Sequence, residues 1–141
     1  MLVPALLALM AALFIVEGST AGGDDWQVPG ITIETLAATP VSAFNRLINN
    51  AVGTNDNWVA DGDRVARRFA GDHPALSLIR QPGSDRPRIY LLRQPLGEAG
   101  VAELLYRLEL QPQQGYWQLH SAAMAWRCSD SPLFSTRPCQ P

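Results

Sequence analysis

The hydrophobic and polar positions of this 141-residue chain change period along its length, and each change marks an element. Residues Leu2 to Val16 carry no charged or polar side chain. Spanning the hydrocarbon core of a bilayer takes about 20 apolar residues. This run of 15 is short for that and suits the apolar region of a signal peptide over residues 1–21. Ser19-Thr20-Ala21 offers small side chains where a signal peptidase reads, which places cleavage after Ala21. No Lys or Arg precedes the run, and that leaves an uncleaved membrane anchor over residues 2–16 as the alternative.

Residues 22–38 bring Gly, Pro and acids and then a short alternating run over Ile31–Thr35. They predict a flexible lead-in, with an edge strand at most. A helical period starts at Thr39-Pro40, where Thr39 is a candidate cap and Pro40 suits the first helical position. Val41, Phe44, Leu47, Ile48 and Ala51 recur on one face, Ser42, Asn45, Arg46, Asn49 and Asn50 fill the other, and Gly53 ends the pattern. After the turn-rich stretch 54–63, Asp61 is placed to cap a shorter helix with Val65, Ala66 and Phe69 inward and Arg64, Arg67 and Arg68 outward. The same Val65–Phe69 run also reads as a bent strand. Gly71-Asp72-His73-Pro74 stops it.

From Ala75 the period falls to two. Ala75–Arg80 and Arg88–Arg93 flank a Pro82-Gly83 turn signal. Val101–Gln111 and Tyr116–Cys128 then form a hairpin around a Pro112–Gly115 loop. In that register Leu110 faces Trp117, Leu108 faces Leu119, Tyr106 faces Ser121 and Leu104 faces Ala123, with the charged residues on the opposite side. A Ser/Pro-rich tail follows, with Phe134 as an apolar anchor. The sum is an α+β domain over 39–141, one or two N-terminal helices packed on a four-stranded antiparallel meander. Cystatin-like and nuclear-transport-factor-2-like folds share this order of elements.

Cys128 and Cys139 are the only cysteines, and an even count fits a disulfide and an oxidising compartment. No Cys or His lies beside them to complete a zinc set, and the two-residue spacing of a redox pair is missing. With 1–21 removed, 120 residues remain, enough for one domain with an ordinary core. Charge is unevenly spread: 22–63 carries one Arg against six acids, whereas 64–93 carries seven Arg against two acids. Either the two segments face each other and cancel, or Arg64, Arg67, Arg68 and Arg88 form a patch for an anionic partner.

Chemistry-bearing patterns are sparse. His73 and His120 are the only histidines, and no Gly-x-Ser-x-Gly elbow accompanies them. Asp56, Asp61 and Asp63 cluster in sequence, but in a turn where Asp serves capping, and the terminal Glu of a calcium loop is missing. The reading is of no catalytic, cofactor or metal residue. Among the tryptophans, Trp117 is a core candidate. Trp126 falls on the other strand parity, either covered by the disulfide loop or exposed beside Arg127 as part of a binding surface.

The YRLEL strand at Tyr106–Leu110, the GYWQL return at Gly115–Leu119, WRC at Trp126–Cys128 and FST-x-x-C at Phe134–Cys139 resemble small uncharacterised exported bacterial proteins. The resemblance covers roughly the last 40 residues. It departs after the first Cys, where Ser129-Asp130-Ser131-Pro132 replaces a stretch containing Gly and Arg. The expectation is a periplasmic or secreted, non-enzymatic module that binds a protein or an anionic envelope component. Nucleic acid is not expected as a partner, and the membrane only through an uncleaved N-terminal segment. The competing expectation is a small-molecule-binding or hydrolytic domain with a pocket between helix and sheet.

Overall fold

The computed structural model describes residues 28–73, 76–81 and 85–141. The expected signal segment, Trp26 and the Pro82-Gly83 turn lie outside the described residues. The elements are β1 (Thr32–Ile33), β2 (Ala37–Thr39), α1 (Ser42–Gly53), a 3-10 turn (Asn57–Ala60), α2 (Gly62–Phe69), β3 (Ser77–Gln81), β4 (Arg88–Arg93), β5 (Val101–Pro112), β6 (Trp117–Cys128) and β7 (Leu133–Ser135). No helix among the described residues is long and apolar enough to cross a membrane.

The expected fold class, helices packed on a four-stranded meander, is wrong. Among the described residues the chain is mostly sheet: a curled, mixed, seven-stranded half-barrel with two short helices. Its strand order is β1-β7-β6-β5-β4-β3, with β2 also pairing β6, and among the described strands only the β1–β7 pair is parallel. β1 falls within the alternating Ile31–Thr35 run expected as an edge strand at most, whereas β2 and β7, three residues each, are too short to show a period; β1 with β7 and β2 with β6 pair across the length of the chain. β2 and β7 lie along the outer side of β6, which would otherwise be an open edge. β7 covers Trp126 and Arg127, and β2 covers Ala122 to Met124. At Leu119 a side chain takes over: Asn45 of α1 donates through Nδ2 to the Leu119 carbonyl at 2.9 Å and accepts from its N–H at 3.0 Å. One residue further, Asn49 Oδ1 accepts from the Gln118 side-chain Nε2 at 2.7 Å. The polar face of α1 thus completes an edge that no strand completes.

The hairpin register also differs from the expected one. Leu110 pairs with Leu119, and Pro112 with Trp117, because the ladder runs two residues closer to the turn, which Gln113 and Tyr116 close. A two-residue slide leaves every side chain on its original face, so alternation alone does not forbid it. A β-bulge then intervenes: Glu109 pairs with Ser121, leaving His120 unpaired in the ladder, and Leu108 meets Ala122. The extra residue switches the parity of β6. Leu119 faces the helices before the bulge; Ala122, Met124 and Trp126 face them after it.

Two cores result, one on each face of the sheet. On the helix side Ile48, Val65, Leu91 and Leu108 are fully buried, each contributing roughly 1.5–3 kcal/mol. On the other side Val28, Tyr90, Leu105, Ala125 and Phe134 pack together, joined by Ile31, Ile33 and Leu36 from the segment ahead of α1. Leu47, expected on the apolar stripe of α1, is 44% exposed.

The helix ends follow local chemistry. Thr39 closes β2 and does not cap α1, whose N-cap is Val41 with no side-chain bond. Asp61 caps α2 by accepting from the Asp63 N–H at 2.9 Å. Both helices stop in a Schellman arrangement. Asp56 N–H reaches Ala51 O and Asn55 N–H reaches Val52 O; Asp72 N–H reaches Arg67 O and Gly71 N–H reaches Arg68 O. The left-handed position falls to Asn55 (φ 56°) in one and Gly71 (φ 99°) in the other, so neither backbone needs a functional explanation.

Candidate functional site

The four arginines expected to share a patch are divided. On α2, Arg64 and Arg68 are exposed, while Arg67 is half-buried and donates to Leu76 O at 3.4 Å. Arg64 lies 3.8 Å from Asp61, and the Arg68 guanidinium sits 4.5 Å above the ring of buried Trp58. That stacking holds an exposed cation in place. Arg88 belongs elsewhere. Its neighbours Ile89 and Leu91 point into the helix-side core, so Arg88 points to the opposite face, where it meets Glu109 at 2.5 Å.

The other sequence candidates also resolve into separate roles. Asp61 caps α2, Asp63 is held by Arg80, and Asp56 belongs to the α1 stop. The His120 ring Nε2 accepts from Arg86 at 2.8 Å. Among the described residues no three His, Cys, Asp or Glu side chains gather as a metal set. The Cys128–Cys139 disulfide forms, with 5.3 Å between its Cα atoms. Half-buried Trp126 is tied to the disulfide-closed loop, its Nε1 donating to Arg137 O at 2.7 Å. Arg137 in turn meets Glu34 at 2.5 Å, and Thr136 N–H donates to Thr35 Oγ1 at 2.9 Å, so the tail is fastened to the β1 segment. At Gly100 the tail lies so close that an added Cβ would stand 2.0 Å from Gln140 O.

The space between helices and sheet is occupied by the chain's own side chains. Ile48, Val65, Ala66, Leu91 and Leu108 leave no solvent contact there. A hollow of about 200 Å³ lies instead at one end of the molecule, where Val52, Asn55, Asp56, Val59 and Tyr116 meet the β5–β6 turn.

A centre that sequence reasoning missed lies at the C-terminal end of β4. Arg93 follows Ile89 and Leu91 in alternation and shares their helix-side face. Its Nη1 donates to Ala70 O at 2.8 Å, at the end of α2, and its guanidinium stands 5.6 Å from the Tyr106 ring centre. Nε is buried without an acceptor. Tyr106 is edge-on to Phe69 at 6.3 Å, and Phe69 edge-on to Phe44 at 5.2 Å. Burial pushes the Tyr106 phenol above its ordinary pKa, with Arg93 pulling it back and Glu98 adding to the rise. Half-buried Met124 pairs with Tyr106 across the sheet, and half-buried Trp126 pairs with Leu104, which itself pairs with Arg93. The sequence signal was available: an Arg in phase with two core residues.

No family model, curated protein or solved structure matches this chain.

Proposed function

We propose that this chain is a non-enzymatic binding module working outside the cytoplasm, and that it meets an anionic component of the cell envelope, or the acidic face of a protein, through α2. The observation that carries this reading is the presentation of Arg64 and Arg68 on the exposed side of a helix whose other side is sealed onto the sheet. With that interface filled, recognition falls to the surface rather than to an enclosed pocket. The Cys128–Cys139 disulfide supports an oxidising compartment. Removal from the N-terminus of residues 1–21 during export is part of the same reading.

The test is co-sedimentation with vesicles of anionic and of zwitterionic lipid. Each Arg near an anionic surface contributes about 1 kcal/mol, so Arg64→Glu with Arg68→Glu should weaken anionic-vesicle binding at least ~30-fold. Raising salt from about 0.05 to about 0.5 M should do the same to the unaltered chain. Binding that ignores both charge reversal and salt defeats the reading. Capture of an acidic protein from envelope extract, lost on the same reversal, would identify the protein arm instead.

A further inference from the structure

The Arg93 centre differs in kind from the α2 surface. Arg64, Arg80, Arg88, Arg127 and Arg137 each have a carboxylate partner. Arg93 has none among the described residues, and yet its Nε is buried. A cation drawn into an apolar setting needs compensation. Here the Ala70 carbonyl and the Tyr106 ring provide part of it, and the end of the α2 dipole adds to that. Nε is left without an acceptor, while the residue as a whole is only half-buried.

Around it the helix-side face is incompletely closed. Phe44, Phe69, Val101, Met124 and Trp126 pack on the core and are half-buried rather than sealed. Leu108 and Leu91 have no solvent exposure, whereas Met124 and Trp126, across from buried Tyr106 and Leu104, remain partly exposed. The floor of this region is paired strand backbone, apart from the irregularity at Ala102. β5 pairs with β4 and β6 there, and β6 pairs on its outer side with β2 and then β7. A peptide laid on that floor would bury its own N–H and C=O groups with no partners. A hydrocarbon chain carries no such groups. Met and Trp side chains also adapt to flexible apolar ligands.

We propose that this half-covered face is a docking site for a fatty-acid carboxylate, its head on Arg93 and its acyl chain across Phe69, Met124 and Trp126. The ligand supplies the missing anion and covers the apolar margin in one step. The inference does not rest on the α2 reading, and Arg64→Glu with Arg68→Glu should leave it intact.

The experiment is calorimetric titration of the full chain with dodecanoate below its aggregation concentration, beside dodecanol, dodecyltrimethylammonium and a short apolar peptide ending in a free carboxylate. Dodecanoate should bind saturably at one site. Dodecanol should bind about tenfold more weakly, as expected for losing one charge-assisted hydrogen bond, and the cationic amphiphile more weakly still. Arg93→Met should remove the preference for carboxylate over alcohol, while Arg93→Lys should keep most of it. Met124→Glu sets a negative charge in the acyl path and should weaken dodecanoate more than dodecanol. The ligand comparison on the unaltered chain needs no variant to fold. Absence of saturable dodecanoate binding overturns the proposal. So does equal affinity for dodecanoate and dodecanol, tighter binding of the peptide, or a folded Arg93→Met that keeps the preference.

Discussion

Replacing Asn45 with Ala tests whether a helix side chain completes the edge of β6. The substitution removes two hydrogen bonds to one backbone residue, to Leu119 O at 2.9 Å and from Leu119 N–H at 3.0 Å, both partly buried. Each is worth about 1 kcal/mol net, and more where the abandoned backbone group stays shielded from water. Ala is the better helix former, which returns roughly 0.6 kcal/mol. The expected loss is therefore about 1.5 kcal/mol, read as a lower urea midpoint at unchanged slope in far-UV circular dichroism. Asn49→Ala is the internal control. It gains the same helix propensity and loses one exposed bond to Gln118, so its net change should be close to zero. Asn45→Asp keeps the acceptor but sets a carboxylate against the Leu119 carbonyl, and should be no better than Ala. If Asn45→Ala is as stable as the unaltered chain, or if Asn49→Ala costs as much, the edge-completing role is wrong.

Removing the disulfide with Cys128→Ser and Cys139→Ser should cost about 3 kcal/mol in the chain-entropy model for its 11-residue separation, measured by the same urea unfolding. Leu108→Ala, at a position with no solvent exposure, should cost about 3 kcal/mol, whereas Leu47→Ala on the exposed side of α1 should change stability by less than about 0.5 kcal/mol. The raised Tyr106 pKa means that the folded chain keeps this proton after the unfolded chain has lost it. Its contribution is whole below the unfolded tyrosine pKa and declines as pH rises above that. Between about pH 9 and about pH 11 the unaltered chain should therefore lose more stability than Tyr106→Phe does, and an equal loss would contradict the assignment.

What the sequence could carry is set by how many residues repeat a pattern. The Cys128–Cys139 bond was legible because two cysteines allow one pairing and nothing around them fits a metal or redox motif. The Asp61 cap was legible because capping needs only a carboxylate two residues before a free N–H. The fold class was not. β2 and β7 are too short for any period, and the pairs that close the sheet, β1 with β7 and β2 with β6, join segments far apart along the chain. Periodicity reports which residues share a face, and it is silent about which distant segment adds to an edge. The hairpin failed for a related reason. Its two-residue slide preserves all faces, and its bulge at His120 leaves no compositional trace.

That single inserted residue explains why the candidate sites were only half visible. Read with strict alternation, β6 sends Ser121 and Ala123 toward the helices and assigns Trp126 to the opposite face. The bulge reverses the assignment beyond His120, bringing Met124 and Trp126 alongside Tyr106 and Leu104 on the helix side. Arg93 needs no bulge, since Ile89, Leu91 and Arg93 alternate within one unbroken strand. An Arg at the end of a strand usually reads as the exit to solvent, because its stem can snorkel outward. Here the chain turns back over it instead: the α2 stop at Ala70 and Gly71 lies against the guanidinium, and an added Cβ at Gly71 would stand 2.8 Å from Nη1. The close approach that holds Arg93 over Tyr106 thus depends on the left-handed glycine that ends α2. The helix stop, the half-buried cation and the partly exposed side chains of Met124 and Trp126 form one construction, assembled from three segments that show no common pattern in sequence.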